Sequence, residues 1–431
     1  MAVMSVEIIS KEMIKPSSPT PHHLRNFKLS FLDQIAPPFY IPVIFFYRSK
    51  QDHQNVDQFE RSCLLKKSLA ETLTRLYPLA GTLVDQDFYV DCNDEGVEYI
   101  QARVPCKLAE VLEKPNVGND LVPLLPFTPC HGFTELGKKV LLAVQYNSFD
   151  CGGVAIGVVV SHKIADGTSM GTFVNAWAGT SRGSTGVINP SFDAATHFPP
   201  VETSGFVLAK PMEKIVTRRF VFDKSSIDAL RKEGSAAFGP NERGPSRVEA
   251  VSAFMWKRFM AVTQSNPEKK PKLYGGLHTV NLREKMVPQL PAHTIGNLYQ
   301  TAAATLPVEI EKDYPSLVRQ LRNAIMAVNT DTVKKLQDAN GYLEHLKNAV
   351  TQLSKGETEL FNFTSWCRFP VYEVDFGWGK PTWVCSPGRP YKNVVVLMST
   401  SDGDGIEAWV NMKEEDMPMF EHDPELIQFA P

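Results

Sequence analysis

The first half of the chain alternates between segments with the periodicity of strands and segments with that of helices. Residues 40–47 form a short apolar run, which predicts a buried strand. Residues 57–76 place leucines three and four positions apart on one face, which predicts a helix with Asp57 as its N-cap. The pattern also predicts a helix at 168–181 and strands at 88–91, 97–102, 140–146 and 154–160, the first two strands joined by the turn 93–96.

The second half begins with a proline-rich, irregular stretch at 188–214, which predicts a linker. After it, strands are predicted at 217–222, 393–398 and 405–410, and helices at 224–232, 246–263 and 316–353, the last with a break near Asn340-Gly341. A chain of 431 residues is too long for one ordinary core. We therefore predict an α/β fold of two domains, residues 1–187 and 215–431, joined by that linker.

Composition narrows the classes of function. Apolar residues make up 43% of the chain and charged residues 22%, as in globular proteins. A net charge of −3 without a basic patch gives no reason to expect nucleic acid or a membrane as partner. The sequence shows neither a signal-peptide pattern nor an apolar stretch long enough to span a membrane. Seven scattered cysteines without zinc-ligand spacing predict reduced thiols, no metal site and a cytoplasmic protein.

One apolar run ends in a motif that can carry chemistry. Residues 154–160 are followed by His-x-x-x-Asp-Gly, which contains His162, Asp166 and Gly167. A histidine at the end of a buried strand is held rigidly, and its neutral imidazole accepts a proton near pH 7. Asp166 can fix the loop that aims the ring, and Gly167 allows backbone angles that other residues resist. The alternative from spacing alone is a core histidine beside a helix-capping aspartate.

A second motif lies far downstream, where Asp-Phe-Gly-Trp-Gly stands at 375–379. A kinase is excluded, because neither the glycine-rich loop nor the Val-Ala-Ile-Lys motif accompanies Asp-Phe-Gly. The two motifs, in this order, resemble those of the BAHD acyltransferases, plant enzymes that move an acyl group from coenzyme A to an alcohol or amine. Within that family the chain is similar to the vinorine synthase-like branch of O-acetyltransferases. The resemblance runs nearly end to end and includes residues 14–21, 29–34, 77–81, 280–283 and 296–298.

This resemblance implies an architecture and roles for the motif residues. Each domain would be a mixed sheet flanked by helices, as in chloramphenicol acetyltransferase, with a channel at the domain interface. Asp166 would pair with Arg283 instead of the imidazole. Trp378 would belong to a rigid structural turn, and Asp375 would join His162 among the residues that activity requires, from a supporting position. The protein would be a monomer.

The resemblance also implies that no cofactor is bound permanently and that an acyl-CoA, most simply acetyl-CoA, is the co-substrate. Lys257 matches a position that contacts the nucleotide end of coenzyme A, while Ser252, Thr364 and Ser365 are candidates for lining the pantetheine tunnel. The alternative for each of these four is an ordinary solvated side chain. The aromatic segments 31–38 and 363–369, with Phe149, are candidates for the acceptor pocket.

Acyl transfer to a hydroxyl requires a base for the hydroxyl proton and donors for the oxyanion of the tetrahedral intermediate. We predict His162 as the base, acting in a ternary complex with acetyl-CoA and a hydrophobic plant metabolite such as an alkaloid, terpenoid or volatile alcohol. The rival mechanism is a nucleophilic Cys–His pair formed with Cys151. The alternative functions are transfer of a longer or aromatic acyl group, an amine acceptor, or a ligand-binding relative that has lost catalysis.

Overall fold

The structure is a computed structural model that describes residues 4–49, 58–84, 89–113, 118–129, 140–184, 186, 188–202, 213–266, 271–310 and 313–431. Its strands are β1 Glu7–Ile14, β2 Asn26–Lys28, β3 Tyr40–Tyr47, β4 Thr82–Val84, β5 Tyr89–Asp91, β6 Val97–Val104, β7 Leu142–Phe149, β8 Val154–Ser161, β9 Ile215–Phe222, β10 Leu273–Asn281, β11 Tyr299–Pro307, β12 Thr358–Ser365, β13 Trp383–Cys385, β14 Val394–Ser399 and β15 Ile406–Lys413. Its helices are α1 Phe31–Ile35, α2 Gln58–Arg75, α3 Leu108–Leu112, α4 Gly167–Ser181, α5 Ala194–His197, α6 Lys224–Gly234, α7 Arg247–Ser265, α8 Tyr314–Ala327, α9 Thr330–Gln337, α10 Ala339–Leu353, α11 Met417–Glu421 and α12 Pro424–Phe429.

The chain folds into two compact units. Unit 1 contains Met1–Ala209, Pro291–Leu298 and Phe369–Pro390, and unit 2 contains Lys210–Leu290, Tyr299–Arg368 and Tyr391–Pro431. The first boundary falls inside the predicted linker, of which 203–212 lies outside the described residues. Two later segments, one of them carrying the Asp-Phe-Gly-Trp-Gly motif, belong to unit 1 and not to the unit that surrounds them in sequence.

Unit 1 is built on a mixed six-stranded sheet in the order β1-β6-β7-β8-β3-β13, with a small sheet β2-β5-β4 beside it. The central strand β8 is buried along its whole length, because its residues are apolar on both faces. Helices α2 and α4 pack together, and the buried indole of Trp177 on α4 donates to the Leu65 carbonyl of α2 at 3.1 Å. Residues 118–124 pass so close to β8 that a Cβ at Gly157 would lie 2.2 Å from the Leu124 carbonyl oxygen.

Unit 2 contains a second mixed six-stranded sheet in the order β11-β10-β12-β14-β15-β9. The long helix α7 packs on it through aromatic side chains. The ring of Phe259 stacks on Phe361 of β12 at 4.9 Å and on Phe420 of α11 at 4.5 Å. Gly276 of β10 lets Trp256 approach the sheet, since a Cβ there would lie 2.8 Å from the indole. Each unit is therefore a mixed sheet flanked by helices, as predicted.

Most predicted elements are confirmed to within a few residues: β3, α2, β7, β8, α4, β9, α6, α7, β14 and β15. The predicted N-cap Asp57 lies outside the described residues. Strands β5 and β6 lie on either side of the predicted turn 93–96, but they do not pair with each other as a hairpin, because β5 pairs with β2 and β4 while β6 pairs with β1 and β7. Asp94 and Gly96, both with positive φ, turn the chain from one sheet to the other.

The predicted break near Asn340-Gly341 is found at Asp338, and a second break at 328–329 was not predicted. Three helices, α8, α9 and α10, occupy this stretch. The Asn329 side chain accepts from the amides of Asp331 and Thr332, and the Asp338 side chain accepts from the Gly341 amide. Each side chain thus caps a new helix, and Gly341 lies in the first turn of α10.

Candidate active site

His162 follows the last residue of β8, and its backbone is held from the neighbouring strand. The His162 N–H donates to the Phe39 carbonyl at 2.9 Å. The Phe39 ring contacts the imidazole edge to face, with centroids 4.9 Å apart. The ring is therefore presented at the end of the sheet in unit 1, by a residue whose backbone cannot move without breaking the strand pairing.

An amide from a distant part of the sequence fixes the imidazole. Asn297 Oδ1 lies 2.7 Å from His162 Nδ1, and Asn297 Nδ2 donates to the His162 carbonyl at 2.6 Å and to Asp33 Oδ1 at 2.9 Å. Because the amide nitrogen donates to two oxygens, the amide oxygen is the atom that faces the ring. His162 Nδ1 therefore carries the hydrogen, which leaves the lone pair on Nε2.

The electrostatic environment keeps this imidazole neutral. The pKa of His162 falls to about 4, first because burial disfavours the charged ring and second because of the positive charge of Arg389. The Asn297 hydrogen bond and the negative charge of Asp166 act in the opposite direction. At neutral pH the ring is a proton acceptor and not a cation.

Asp166 caps helix α4. Its Oδ1 accepts from the Ser169 amide at 2.8 Å, and its Oδ2 accepts from the Leu298 amide at 3.2 Å. The helix-capping role weighed from the sequence is therefore confirmed for Asp166. Arg283 is buried in unit 2, where its Nη1 donates to Asn281 Oδ1 at 3.2 Å, and its pairing with Asp166 stays a prediction.

Gly167 does not use the backbone freedom expected of it. It is the first residue of α4, and its φ is negative, as in any helical residue. The left-handed region that favours glycine is instead occupied in the downstream motif, by Gly377 and Gly379 with φ of 113° and 110°.

The Asp-Phe-Gly-Trp-Gly segment folds into a turn around the carboxylate of Asp375. Asp375 Oδ1 accepts from the amides of Gly377 and Gly379 at 2.8 and 2.9 Å. Trp378 stacks on Phe376 with centroids 5.7 Å apart. The turn is joined to helix α4 by the Ser181 hydroxyl, which donates to the Phe376 carbonyl at 2.8 Å.

This turn lies far from His162. In the antiparallel pair β3–β8, Tyr40 is opposite Ser161 and Tyr47 is opposite Val154. The Tyr47 hydroxyl donates to the Val374 carbonyl at 2.8 Å, so the turn lies at the Val154 end of the pair. Seven residue steps of about 3.3 Å separate the two ends by about 23 Å. Asp375 therefore does not touch the reacting atoms at His162, and any effect it has on activity acts through the fold.

The same strand register excludes the rival mechanism, in which Cys151 would act as a nucleophile paired with His162. Cys151 precedes Val154, so it also lies at the end of β8 opposite to His162. Its Sγ accepts from the Leu108 amide at 3.3 Å, and the side chain is exposed. A Cys–His nucleophile pair is excluded by this separation. Phe149, expected near the acceptor, is likewise at the wrong end, because its neighbour Ser148 is paired with Val154.

With this geometry established, comparison with known proteins assigns the family. The profile of the Transferase family matches residues 4–427. The chain is 42% identical to stemmadenine O-acetyltransferase of Catharanthus roseus, over 97% of this chain and 96% of that protein. It is 37% identical to limonoid 21-O-acetyltransferase of Melia azedarach, over 99% and 98% of the two chains. The crystal structure of vinorine synthase matches with a TM-score of 0.85 and 40% identity, covering 99% of this chain and 98% of that one.

The chain belongs to the BAHD acyltransferase family. As a member of that family it is an acyl-CoA-dependent acyltransferase with a two-domain mixed α/β fold. The resemblance inferred from the two sequence motifs is thereby confirmed. The described residues contain no group of three or more His, Cys, Asp or Glu side chains that could hold a metal ion. Among the described helices, none has the length and apolar character needed to cross a bilayer.

The four residues proposed for coenzyme A in this BAHD acyltransferase all lie in unit 2. Ser252 and Lys257 are on α7, and Thr364 and Ser365 end β12. Ser252 is fully buried, so the alternative of a solvated serine is wrong for it, while the other three are half-buried. Phe363, expected near the acceptor, is a core residue that contacts Phe259 of α7.

Three side chains around the base of this BAHD acyltransferase were not singled out from the sequence: Asn297, Asp33 and Arg389. The first two lie inside segments that carry the family resemblance, 296–298 and 29–34, so a signal for them existed. Arg389 had none, because a lone arginine in a proline-rich stretch is usually solvated. Its burial and its contact with the Phe39 ring, with the guanidinium carbon 5.8 Å from the ring centroid, are visible only in the fold.

Proposed function

We propose that the protein transfers the acetyl group of acetyl-CoA to a hydroxyl of a hydrophobic plant specialised metabolite, such as an alkaloid or terpenoid alcohol. Membership of the acyltransferase family and the similarity to two plant O-acetyltransferases support the donor and the reaction. The observation that carries the proposal is the neutral imidazole of His162, whose lone pair is on Nε2 while Asn297 holds Nδ1.

The reaction uses this imidazole twice. Nε2 accepts the hydroxyl proton while the alcohol oxygen attacks the thioester carbonyl, which gives a tetrahedral oxyanion and an imidazolium. The Asn297 oxygen accepts the hydrogen of Nδ1 throughout, so the positive ring keeps a partner. Collapse of the intermediate breaks the carbon–sulfur bond, and the imidazolium returns its proton to the departing thiolate. No acyl-enzyme is formed, in keeping with the distance of Cys151 from the ring.

The test compares wild type with His162→Ala in a panel of acyl-CoAs and alcohols. The acyl donors are acetyl-, malonyl- and benzoyl-CoA, and the acceptors include indole-alkaloid and limonoid alcohols. We expect acetyl ester from wild type, and a loss of roughly 10²–10⁴-fold in a folded His162→Ala, the usual contribution of a general base. Equal rates for the two proteins would overturn the assignment of His162.

The same panel distinguishes the alternatives. Product only with benzoyl-CoA would replace acetyl by an aromatic donor, and product only with amines would replace the hydroxyl acceptor. Binding of acyl-CoA without turnover or thioester hydrolysis would favour the ligand-binding relative. The proposal for Ser252, Lys257, Thr364 and Ser365 is tested by the KM for acetyl-CoA, which should rise in Lys257→Ala with kcat unchanged, because a nucleotide contact contributes equally to ground and transition states.

The setting proposed for the enzyme is a reducing, cytoplasmic one, with the protein as a monomer. The described cysteines are free thiols, which supports that setting. Light scattering at micromolar concentration checks the monomer, and a dimer mass would contradict it.

A further inference from the structure

Asp33 is a buried carboxylate that accepts four hydrogen bonds, and these divide into two pairs. Oδ2 accepts from the Ser30 amide at 2.9 Å and from the Ser30 hydroxyl at 2.6 Å. Oδ1 accepts from the Asn297 amide at 2.7 Å and from Asn297 Nδ2 at 2.9 Å. The Ser30 amide bond is one half of the capping box that begins helix α1, and the Asp33 amide, which donates to the Ser30 hydroxyl at 3.2 Å, is the other half. The second pair has no part in that box, and it joins α1 to the residue that contacts His162.

Asp33 Oδ1 and the His162 carbonyl together decide which way the Asn297 side-chain amide points. If the amide were flipped, its oxygen would face Asp33 Oδ1 and the His162 carbonyl, so two acceptors would each meet an acceptor. In the observed orientation both of these oxygens receive a hydrogen from Nδ2, and Asn297 Oδ1 faces the ring. The side-chain amide thus has one satisfactory orientation, and that orientation places the hydrogen of the neutral imidazole on Nδ1.

Protonation of Asp33 does not undo this arrangement. Burial raises the pKa of Asp33, and the hydrogen bonds from Ser30 and Asn297 oppose the rise. A proton bound to Asp33 would lie on Oδ2, where the Ser30 hydroxyl oxygen is close enough to accept it. Oδ1 would still accept from Asn297 in that state.

We propose that Asp33 is a positioning residue for acyl transfer, which holds the Asn297 amide so that His162 presents its lone pair on Nε2. The proposal rests on the proposed function, in which His162 is the base. Asp33 acts through Asn297 and does not touch the substrate. The helix cap at Ser30 and the amide contact at Oδ1 are separable, and this separation makes the proposal testable.

Three variants isolate the contact. Asp33→Ala removes both pairs of bonds. Ser30→Ala weakens the cap but keeps Oδ1 on Asn297. In Asp33→Asn the new side chain keeps its carbonyl oxygen toward Asn297, because the flipped orientation would place its NH2 group against the two N–H donors of Asn297. This variant loses the hydrogen bond from the Ser30 amide. We expect kcat to fall about 10- to 100-fold in Asp33→Ala, the usual effect of losing an outer orienting partner, with both KM values close to wild type. Asp33→Asn and Ser30→Ala should keep most of kcat.

Nitrogen-15 NMR of the histidine rings gives a readout independent of turnover. The His162 signals are assigned by their loss in His162→Gln. We expect the Nδ1–H tautomer in wild type, Ser30→Ala and Asp33→Asn, and a mixture of tautomers in Asp33→Ala. A proton on Nε2 in wild type would overturn the proposal, as would equal kcat and equal spectra in Asp33→Ala and Ser30→Ala. If no donor and acceptor pair gives product with wild type, the proposed function fails, while the spectra still decide whether Asp33 sets the tautomer.

Discussion

Acidification should destabilise the wild-type protein through His162, and His162→Gln should remove that part of the effect. A histidine in an unfolded chain titrates near 6.5, whereas in the fold the pKa of His162 is about 4. The folded state therefore binds this proton less readily, so its contribution to stability is complete above about pH 6.5 and is lost as the pH falls toward 4. This difference in pKa lowers the free energy of unfolding by about 2 kcal/mol between pH 7 and pH 5.

The measurement is the free energy of unfolding in urea at pH 7 and pH 5 for both proteins. Other titrating groups are common to the two, so the difference between their pH dependences isolates His162. The glutamine variant keeps a side-chain amide near Asn297 while removing the titrating ring. Identical pH dependences would refute the reasoning, because they would mean that the ring titrates in the fold as it does in water.

The low pKa of His162 should also appear in the pH dependence of kcat/KM. In wild type the acid limb of kcat/KM should lie near pH 4 and not near 6.5, since that limb reports protonation of the base in the free enzyme. Arg389→Met should move the limb upward, because it removes a positive charge that disfavours the imidazolium. A limb that stays in place would show that the Arg389 charge is screened from the ring.

Three further predictions concern residues outside the base itself. Cys151→Ala should keep wild-type kcat, and complete loss of activity in a folded variant would restore the nucleophilic mechanism. Asp166→Ala should lower the free energy of unfolding by about 2–4 kcal/mol, through loss of a helix cap and of the acceptor for Leu298 N–H, and should reduce activity in parallel. Asp375→Ala should cost about 1–3 kcal/mol, because two turn amides lose their acceptor. Calorimetry and kcat per folded molecule should show a less stable enzyme with an unshifted pH–rate profile; a shifted profile would place Asp375 near the chemistry.

Local patterns account for much of the fold. The run at β3 and the leucine spacing of α2 are short-range signals, and both elements form where the pattern predicts. The strand β1 gave no signal, because all but two of its residues are exposed and show no alternation. The break between α8 and α9, which the pattern did not predict, shows a second limit. That break contains neither glycine nor proline, and a new helix begins there because the Asn329 side chain caps it.

The residues of the candidate site likewise include some that the sequence indicated and some that it did not. His162 and Asp166 could be found from the sequence because they are close together along the chain and form a recognisable motif. Asp33 and Asn297 meet across 264 positions in sequence. Their approach is produced by the packing of α1 against the segment that ends at Leu298, and no periodicity in either segment reports that packing. The residues that set the state of the base are therefore those that a single sequence shows least well.

A pKa of about 4 makes His162 a weak base, and this weakness has a use in the proposed reaction. A weak base does not generate a free alkoxide, so proton transfer must accompany formation of the carbon–oxygen bond. The imidazolium that results is correspondingly a strong acid, and the nearby charge of Arg389 shortens its lifetime. The departing coenzyme A thiolate takes that proton readily, because a thiol is a much weaker acid than this imidazolium. Burial and the charge of Arg389 thus favour protonation of the departing thiolate at the expense of proton removal from the alcohol. The neutral amide of Asn297 holds the ring through both steps without adding a charge that would raise the pKa of His162.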